Sequence, residues 1–229
     1  LEQVISWGTE RPLTYDNGGN RIKPQYVIER LSELSPRDTI ITTEVGQNQM
    51  WAAQFYRFRH PRTLLSSGGL GTMGFGFPAA MGAQFAFPDR LVVDIAGDGS
   101  IQMNIQELAT VAQHNLPVKI LILNNCFLGM VRQWQELFYD AKYSSTCLIS
   151  NPDFVRIAEA YGVKGIRIDR KEDVDLGLME MMEHRGPVVV NCMIDREEGV
   201  FPMVPAGAAS NEMIFGSGKK PGKKLKAVK

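Results

Sequence analysis

Charge imbalance is missing from this chain: 25 Lys and Arg stand against 25 Asp and Glu among 229 residues, a formal net charge of zero. So balanced a molecule offers no general field to draw in a polyanion or an acidic membrane. Six lysines do gather between Lys219 and Lys229. Their stretch is short, broken by Gly and Pro and free of aromatics, so 206–229 reads as a flexible solvated tail, with neither nucleic acid nor membrane expected as a partner. Cysteine is scarce as well: Cys126, Cys147 and Cys192 are odd in number and form no Cys-x-x-Cys pair, which argues against a disulfide framework. Cys126 reads as a small buried hydrophobe, since no His lies near it in sequence to activate a thiolate. His60, His114 and His184 are scattered over separate segments and suggest no metal cluster. No apolar run reaches 18 residues and no secretory leader is visible, so no spanning helix is expected and the expected compartment is the reducing cytoplasm.

What the chain does have is a pair of strongly apolar runs. Leu91-Val92-Val93-Asp94-Ile95-Ala96 leads into Gly97-Asp98-Gly99-Ser100, and Val118-Lys119-Ile120-Leu121-Ile122-Leu123 leads into Asn124-Asn125. Runs this short and β-branched read as buried strands of a parallel sheet, with Ile101 to Asn115 as the crossover helix between them. Asp98 and Asn125 would then stand at the carboxyl ends of two parallel strands, on the sheet edge where α/β folds bind ligands. Mg²⁺ takes oxygen ligands at about 2.0–2.1 Å, one or two of them protein carboxylates and the others substrate phosphates. Asp98 offers a charged oxygen and Asn125 a neutral one. Gly97 and Gly99 would let backbone approach a phosphate, and Ser100, at the start of the helix, would turn free N–H groups and the positive dipole end toward the anion. Gly-Asp-Gly alone is also an ordinary turn. The second strand, closed by Asn-Asn at matched spacing, favours the Mg²⁺-diphosphate reading.

These residues resemble the thiamine diphosphate signature of the pyruvate decarboxylase-like enzymes. Three further stretches narrow the resemblance to the acetolactate synthase (acetohydroxyacid synthase) family: Val45 to Gln54, Gly68 to Ala80, and Leu128-Gly129-Met130-Val131-Arg132-Gln133-Trp134-Gln135. The likeness runs from about Lys23 to Pro205. It implies that this span is the C-terminal, thiamine diphosphate-binding domain of the large catalytic subunit, preceded by an interdomain linker over 1–22 and followed by the tail. The family decarboxylates pyruvate and condenses the two-carbon unit with pyruvate or 2-ketobutyrate, opening branched-chain amino-acid synthesis.

The resemblance also implies a set of roles. Asp98, the Asn125 side chain and the Phe127 carbonyl would ligate Mg²⁺. Many relatives carry Glu at 127, and a backbone ligand does not need one. Gln47 and Asn48, beside Gly46, would contact the diphosphate; some relatives have His at 48, which can carry a charge that Asn cannot. Gly97, Gly99, Ser100 and Gly129 would border the cofactor. Gly71 would offer its carbonyl to the aminopyrimidine, and Met73 would be the apolar wedge that bends the cofactor. Met130 and Trp134 are four apart on one helix face, which in the family borders the acceptor pocket; by spacing alone they could be core. The glutamate that activates the cofactor belongs to an amino-terminal domain, usually of the other subunit, and nothing in this sequence matches its motif. Glu44, at a strand end, reads as structural or as site lining. By resemblance the full-length enzyme also binds FAD, pairs as a homodimer and can take a regulatory small subunit, and this chain is a fragment, inactive alone.

Around the motifs, Pro24 opens a helix with Val27, Ile28, Leu31 and Leu34 on one face. Further strands are expected at Asp38–Thr43, Arg62–Leu65, Val163–Ile168 and Pro187–Ile194. Helices are expected at Phe75–Phe87, Gly129–Phe138, Pro152–Tyr161 (capped by Asn151) and Glu172–His184. The fold class is α/β: a doubly wound, six-stranded, mainly parallel sheet with helices on both faces. Three rivals remain. Gly69-Leu70-Gly71-Thr72-Met73-Gly74 with Asp94 twenty residues on fits a dinucleotide-binding fingerprint, although only a short strand feeds it. The domain could hold Mg²⁺ and diphosphate without doing chemistry. It could also belong to another carboligase or 2-oxoacid decarboxylase of the same superfamily.

Overall fold

The computed structural model describes residues 2, 3, 6, 9 and 12–216, so the lysines of the expected tail lie outside the described residues. Its strands are β1 Ile40–Thr43, β2 Leu64–Ser66, β3 Val92–Gly97, β4 Lys119–Asn124, β5 Lys164–Ile168 and β6 Val188–Met193. All neighbours are parallel, in the order β2-β1-β3-β4-β6-β5. The helices are α1 Pro24–Leu34, α2 Gln47–Phe55, α3 Gly76–Ala86, α4 Leu108–Gln113, α5 Gly129–Phe138, α6 Phe154–Ala160 and α7 Val174–Glu183.

The period-two alternation of the central strands feeds two cores. Val93, Ile95, Leu121 and Leu123 pack with α1, α2 and α7, through residues such as Ile28, Trp51 and Leu178. Val92, Ala96, Ile120 and Ile122 pack with α3, α4 and α6, through Phe77, Val111 and Phe154. Each such side chain, fully removed from water, contributes about 1.5–3 kcal/mol, and helices on both faces follow because both faces are apolar. Two residues of the segment read as a linker pack on the first core: Ile22 is buried within it, and Tyr15 meets Phe55 edge-on at 5.6 Å.

Three local differences from the sequence reading bear on function. The crossover after β3 is not one helix over 101–115 but two 3₁₀ turns, Ile101–Met103 and Ile105–Glu107, followed by the six-residue α4. Asn104 breaks it, with φ −134° and an amide that donates to the Gly74 carbonyl at 2.6 Å; a short polar side chain that bonds elsewhere competes with the helix ladder. The helix dipole expected at Ser100 is therefore absent. Second, α6 starts at Phe154 and is capped by Asp153, whose Oδ1 accepts from Val155 N at 3.0 Å and Arg156 N at 3.3 Å. Asn151 is not the cap. Third, α2 has no counterpart in the sequence reading.

Candidate functional site

After β1 the chain runs out to edge strand β2, then returns across β1 to β3, so the carboxyl ends of β1 and β3 flank a topological switch point, where open α/β sheets form their crevices. A cavity of about 390 Å³ lies there. Gly46, Gln47 and Asn48 reach it from the turn after β1, and Gly71 and Met73 from the loop after β2. Gly97, Asp98, Gly99 and Ser100 close β3; Asn125, Phe127, Gly129 and Met130 follow β4; Trp134 stands one turn further along α5. The structure brings all of these sequence-selected residues to this one cavity.

Asp98 is only 1% exposed and enters no ion pair among the described residues. Its Oδ2 accepts from Asn151 Nδ2 at 2.6 Å. Burial lifts its pKa from 3.8 to about 6, against the pull of the Asn151 bond and the backbone amides of Asn125 and Cys126. A desolvated carboxylate without a cation is costly, and a bound cation would relieve it. Asn125 donates through Nδ2 to Gln47 Oε1 at 3.0 Å, and its Oδ1 accepts from Phe127 N at 3.1 Å. That oxygen keeps a second lone pair. No three His, Cys, Asp or Glu side chains converge on a common point among the described residues. An ion here would rest on one carboxylate, one carboxamide and backbone oxygen, a hard-oxygen set of the kind Mg²⁺ takes together with phosphates.

The remaining polar groups are mostly committed to shaping the walls. The Gln47 amide donates to Gln133 Oε1 at 2.9 Å and to the Glu198 carbonyl at 3.2 Å. Gln133 in turn pairs with the Val200 backbone, donating to its carbonyl and accepting from its N–H, each at 2.8 Å. Asn48 donates to the Ile95 carbonyl at 2.9 Å. Ser100 Oγ accepts from Gly97 N at 3.0 Å and so closes the β3 turn. Gly99 is needed for packing: a Cβ there would meet Leu128 Cδ2 at 2.6 Å. Met130 is buried and Trp134 is 46% exposed on the same side of α5, both facing the cavity.

Glu44 is fully buried and outside the cavity lining. Its carboxylate accepts from Gly74 N at 2.7 Å and Phe77 N at 3.0 Å, so it holds the loop that carries Gly71 and Met73. Asp94 lies in mid-β3 rather than at a strand end, 0% exposed, and cannot reach a ribose; the dinucleotide reading fails on that residue. Cys126 is half-buried rather than core. Burial, and then the nearby Asp98, push its thiol pKa up, the reverse of an activated nucleophile. Sequence reasoning missed Asn151, Gln133 and Arg196. Asn151 before Pro152 has the signature of a helix cap, and Gln133 looks like any polar helix residue. Arg196 gave one signal, its place just beyond the end of β6.

Residues 44–192 match the family model described as thiamine pyrophosphate enzyme, C-terminal TPP binding domain. The chain is 48% identical over 217 residues to the mitochondrial acetolactate synthase catalytic subunit of Saccharomyces cerevisiae, covering 93% of this chain and 31% of that protein. It is 48% identical over 205 residues to the acetolactate synthase isozyme 2 large subunit of Escherichia coli, covering 90% and 37%. With the chloroplastic acetolactate synthase 1 of Nicotiana tabacum the figures are 47% over 220 residues, 93% and 33%. The chain thus spans about a third of the length of the curated relatives it matches.

Proposed function

The chain belongs to the thiamine pyrophosphate enzymes, whose C-terminal cofactor-binding domain it carries, and from that premise we propose that it is the cofactor-holding part of an acetolactate synthase. The carrying observation is Asp98, a buried carboxylate that enters no ion pair among the described residues, just past the end of β3 and lining one cavity with Asn125 after β4. Asp98, the Asn125 carboxamide and the Phe127 carbonyl would hold Mg²⁺. Gly46, Gln47, Asn48, Gly97, Gly99, Ser100 and Gly129 would border the diphosphate, with the Gln47 amide acting chiefly to orient Asn125. Gly71 would present its carbonyl to the aminopyrimidine, and Met73 would wedge the cofactor's two rings. Thiamine diphosphate, once bound, supplies the nucleophilic carbon that takes pyruvate apart beside its carbonyl. Met130 and Trp134 would line the pocket for the acceptor, pyruvate or 2-ketobutyrate, and their apolar surface would exclude water there.

The activating glutamate, FAD, a homodimer and a regulatory small subunit belong to the same reading and draw on parts other than this chain. The low cysteine content fits a reducing compartment such as the cytoplasm. No helix among the described residues is long and apolar enough to cross a membrane.

The test is a thermal melt with thiamine diphosphate and Mg²⁺ together, with each alone, with NAD, and with Asp98→Asn as control. Ligand at about 100 times Kd adds roughly 2.7 kcal/mol, so the expected rise is about 5–10 °C for a domain of this size. It should need both ligands and vanish in Asp98→Asn. An equal rise in the variant, or a rise with NAD alone, would overturn the reading.

A further inference from the structure

The Phe127 ring meets two guanidinium groups. The Arg196 guanidinium carbon lies 4.6 Å from the ring centroid and that of Arg132 lies 5.2 Å away. Arg132 is itself 5.5 Å from the Tyr143 ring and is paired with Glu136 at 3.2 Å. Tyr143, Arg132, Phe127 and Arg196 are thus linked by successive cation–ring contacts beside the loop after β4. Arg196 adds a second contact, donating from Nε to the Asn125 carbonyl at 3.3 Å. Both residues it touches are those whose oxygens face the proposed cation.

The loop needs such holding. Between Asn125 and Phe127, Cys126 has φ +56°, a left-handed backbone that a residue with a side chain keeps only when its surroundings impose it. Asn124 fixes one end, accepting from Cys126 N at 3.0 Å while donating to Asn191 at 3.1 Å. A short antiparallel pairing fixes the other, with Leu128 N on the Thr146 carbonyl and Leu148 N on the Cys126 carbonyl, each at 2.8 Å. Between these clamps, Asn125 and Phe127 are secured from the outer side by Arg196. Arg196 is exposed and comes from the segment after β6, so it takes no part in the core.

Resting on the function proposed above, we infer that Arg196 is a positioning residue for the cation site: its contacts with the Phe127 ring and the Asn125 carbonyl set the loop whose oxygens hold the metal. The sign of its effect separates this role from simple charge. A cation near a Mg²⁺ site repels the ion, so by Coulomb's law alone its removal should tighten binding. Positioning predicts the opposite, and loss of a supporting partner typically weakens a metal site 10–100-fold.

The experiment titrates Mg²⁺ into the full chain at saturating thiamine diphosphate, following fluorescence of Trp51 and Trp134, which both line the cavity. Metal-free melting temperatures are measured alongside for wild type, Arg196→Gln and Arg196→Lys. Arg196→Gln should raise the half-saturating Mg²⁺ concentration about 10-fold or more while shifting the metal-free melt by no more than about 2 °C. Arg196→Lys, which keeps a cation over the ring, should recover part of the loss. An equal or lower half-saturation in Arg196→Gln, with wild type binding normally, overturns the positioning role alone. Absence of any Mg²⁺-dependent signal in wild type overturns the function on which it rests.

Discussion

Asp94 keeps a carboxyl group in the middle of β3 with Thr42 Oγ1 donating to one oxygen at 2.8 Å and, among the described residues, no partner for the other. Burial raises its pKa well above 3.8, and the charge of Glu44 adds to the rise; Glu44 is raised too, chiefly by burial. The two groups keep protons that the unfolded chain gives up. From the ordinary carboxylate range upward the folded state therefore binds more protons, and stability falls as pH rises, by up to about 1.4 kcal/mol per pH unit for each group. Asp94→Asn does not titrate. Its stability relative to wild type should be near neutral around pH 4 and become steadily more favourable toward pH 7. Urea midpoints at several pH values would check this, and parallel curves for the two proteins would contradict it. The fused loop and helix that Glu44 secures explain why an acidic pair is kept in so dry a place: Gly76 leaves room for it, since a Cβ there would meet Glu44 N at 2.5 Å.

At the scale of elements, α5 joins the cavity to the rest of the fold through its first residue. A Cβ on Gly129 would run into Gln47 Oε1 and come within 2.7 Å of Asn125 Nδ2. Helix propensity favours Ala over Gly by about 1 kcal/mol, but overpacking here costs about 1–3 kcal/mol and disturbs the amide chain from Asn125 to Gln133. Gly129→Ala should lower the melting temperature by several degrees and abolish Mg²⁺-dependent cofactor binding; a stabilised variant that still binds would show that the amide chain adapts. The helix itself was legible in the sequence to its last residue, because Gly129–Phe138 has a clear apolar stripe and follows an unmistakable strand. The strands β3 and β4 were legible for the same reason, being continuous apolar runs. The helix α2 was not, because its one buried face, Gln47, Asn48, Trp51, Ala52 and Phe55, opens on two amides while Met50 and Ala53 lie exposed opposite, so hydrophobicity does not mark the stripe. Nor was the break at Asn104, which depends on a carbonyl thirty residues earlier in the chain. The motif residues of the site could be read because they close strands. Asn151 and Arg196 could not, because only the fold brings them to the same loops.

Across the whole molecule, the strand order assigns the two halves of the cavity to different parts of the sheet. Asp98 and Asn125 end β3 and β4, each flanked by strands on both sides. Gly71 and Met73 hang from β2, an edge strand three residues long whose first residue, Leu64, is 39% exposed. Leu70 beside them is 95% exposed. The consequence is a difference in time rather than in shape. Short edge strands open before central ones, so fluctuations should loosen the 66–73 wall repeatedly while the carboxylate side stays closed. Amide hydrogen exchange would record it as weak protection from Leu64 to Met73, short of the Gly74 amide that Glu44 holds, beside strong protection in β3 and β4; uniform protection across both walls would refute it. A ligand entering such a cavity would meet a fixed footing at Asp98 and Asn125 first, and the wall at Gly71 and Met73 would settle over it afterwards.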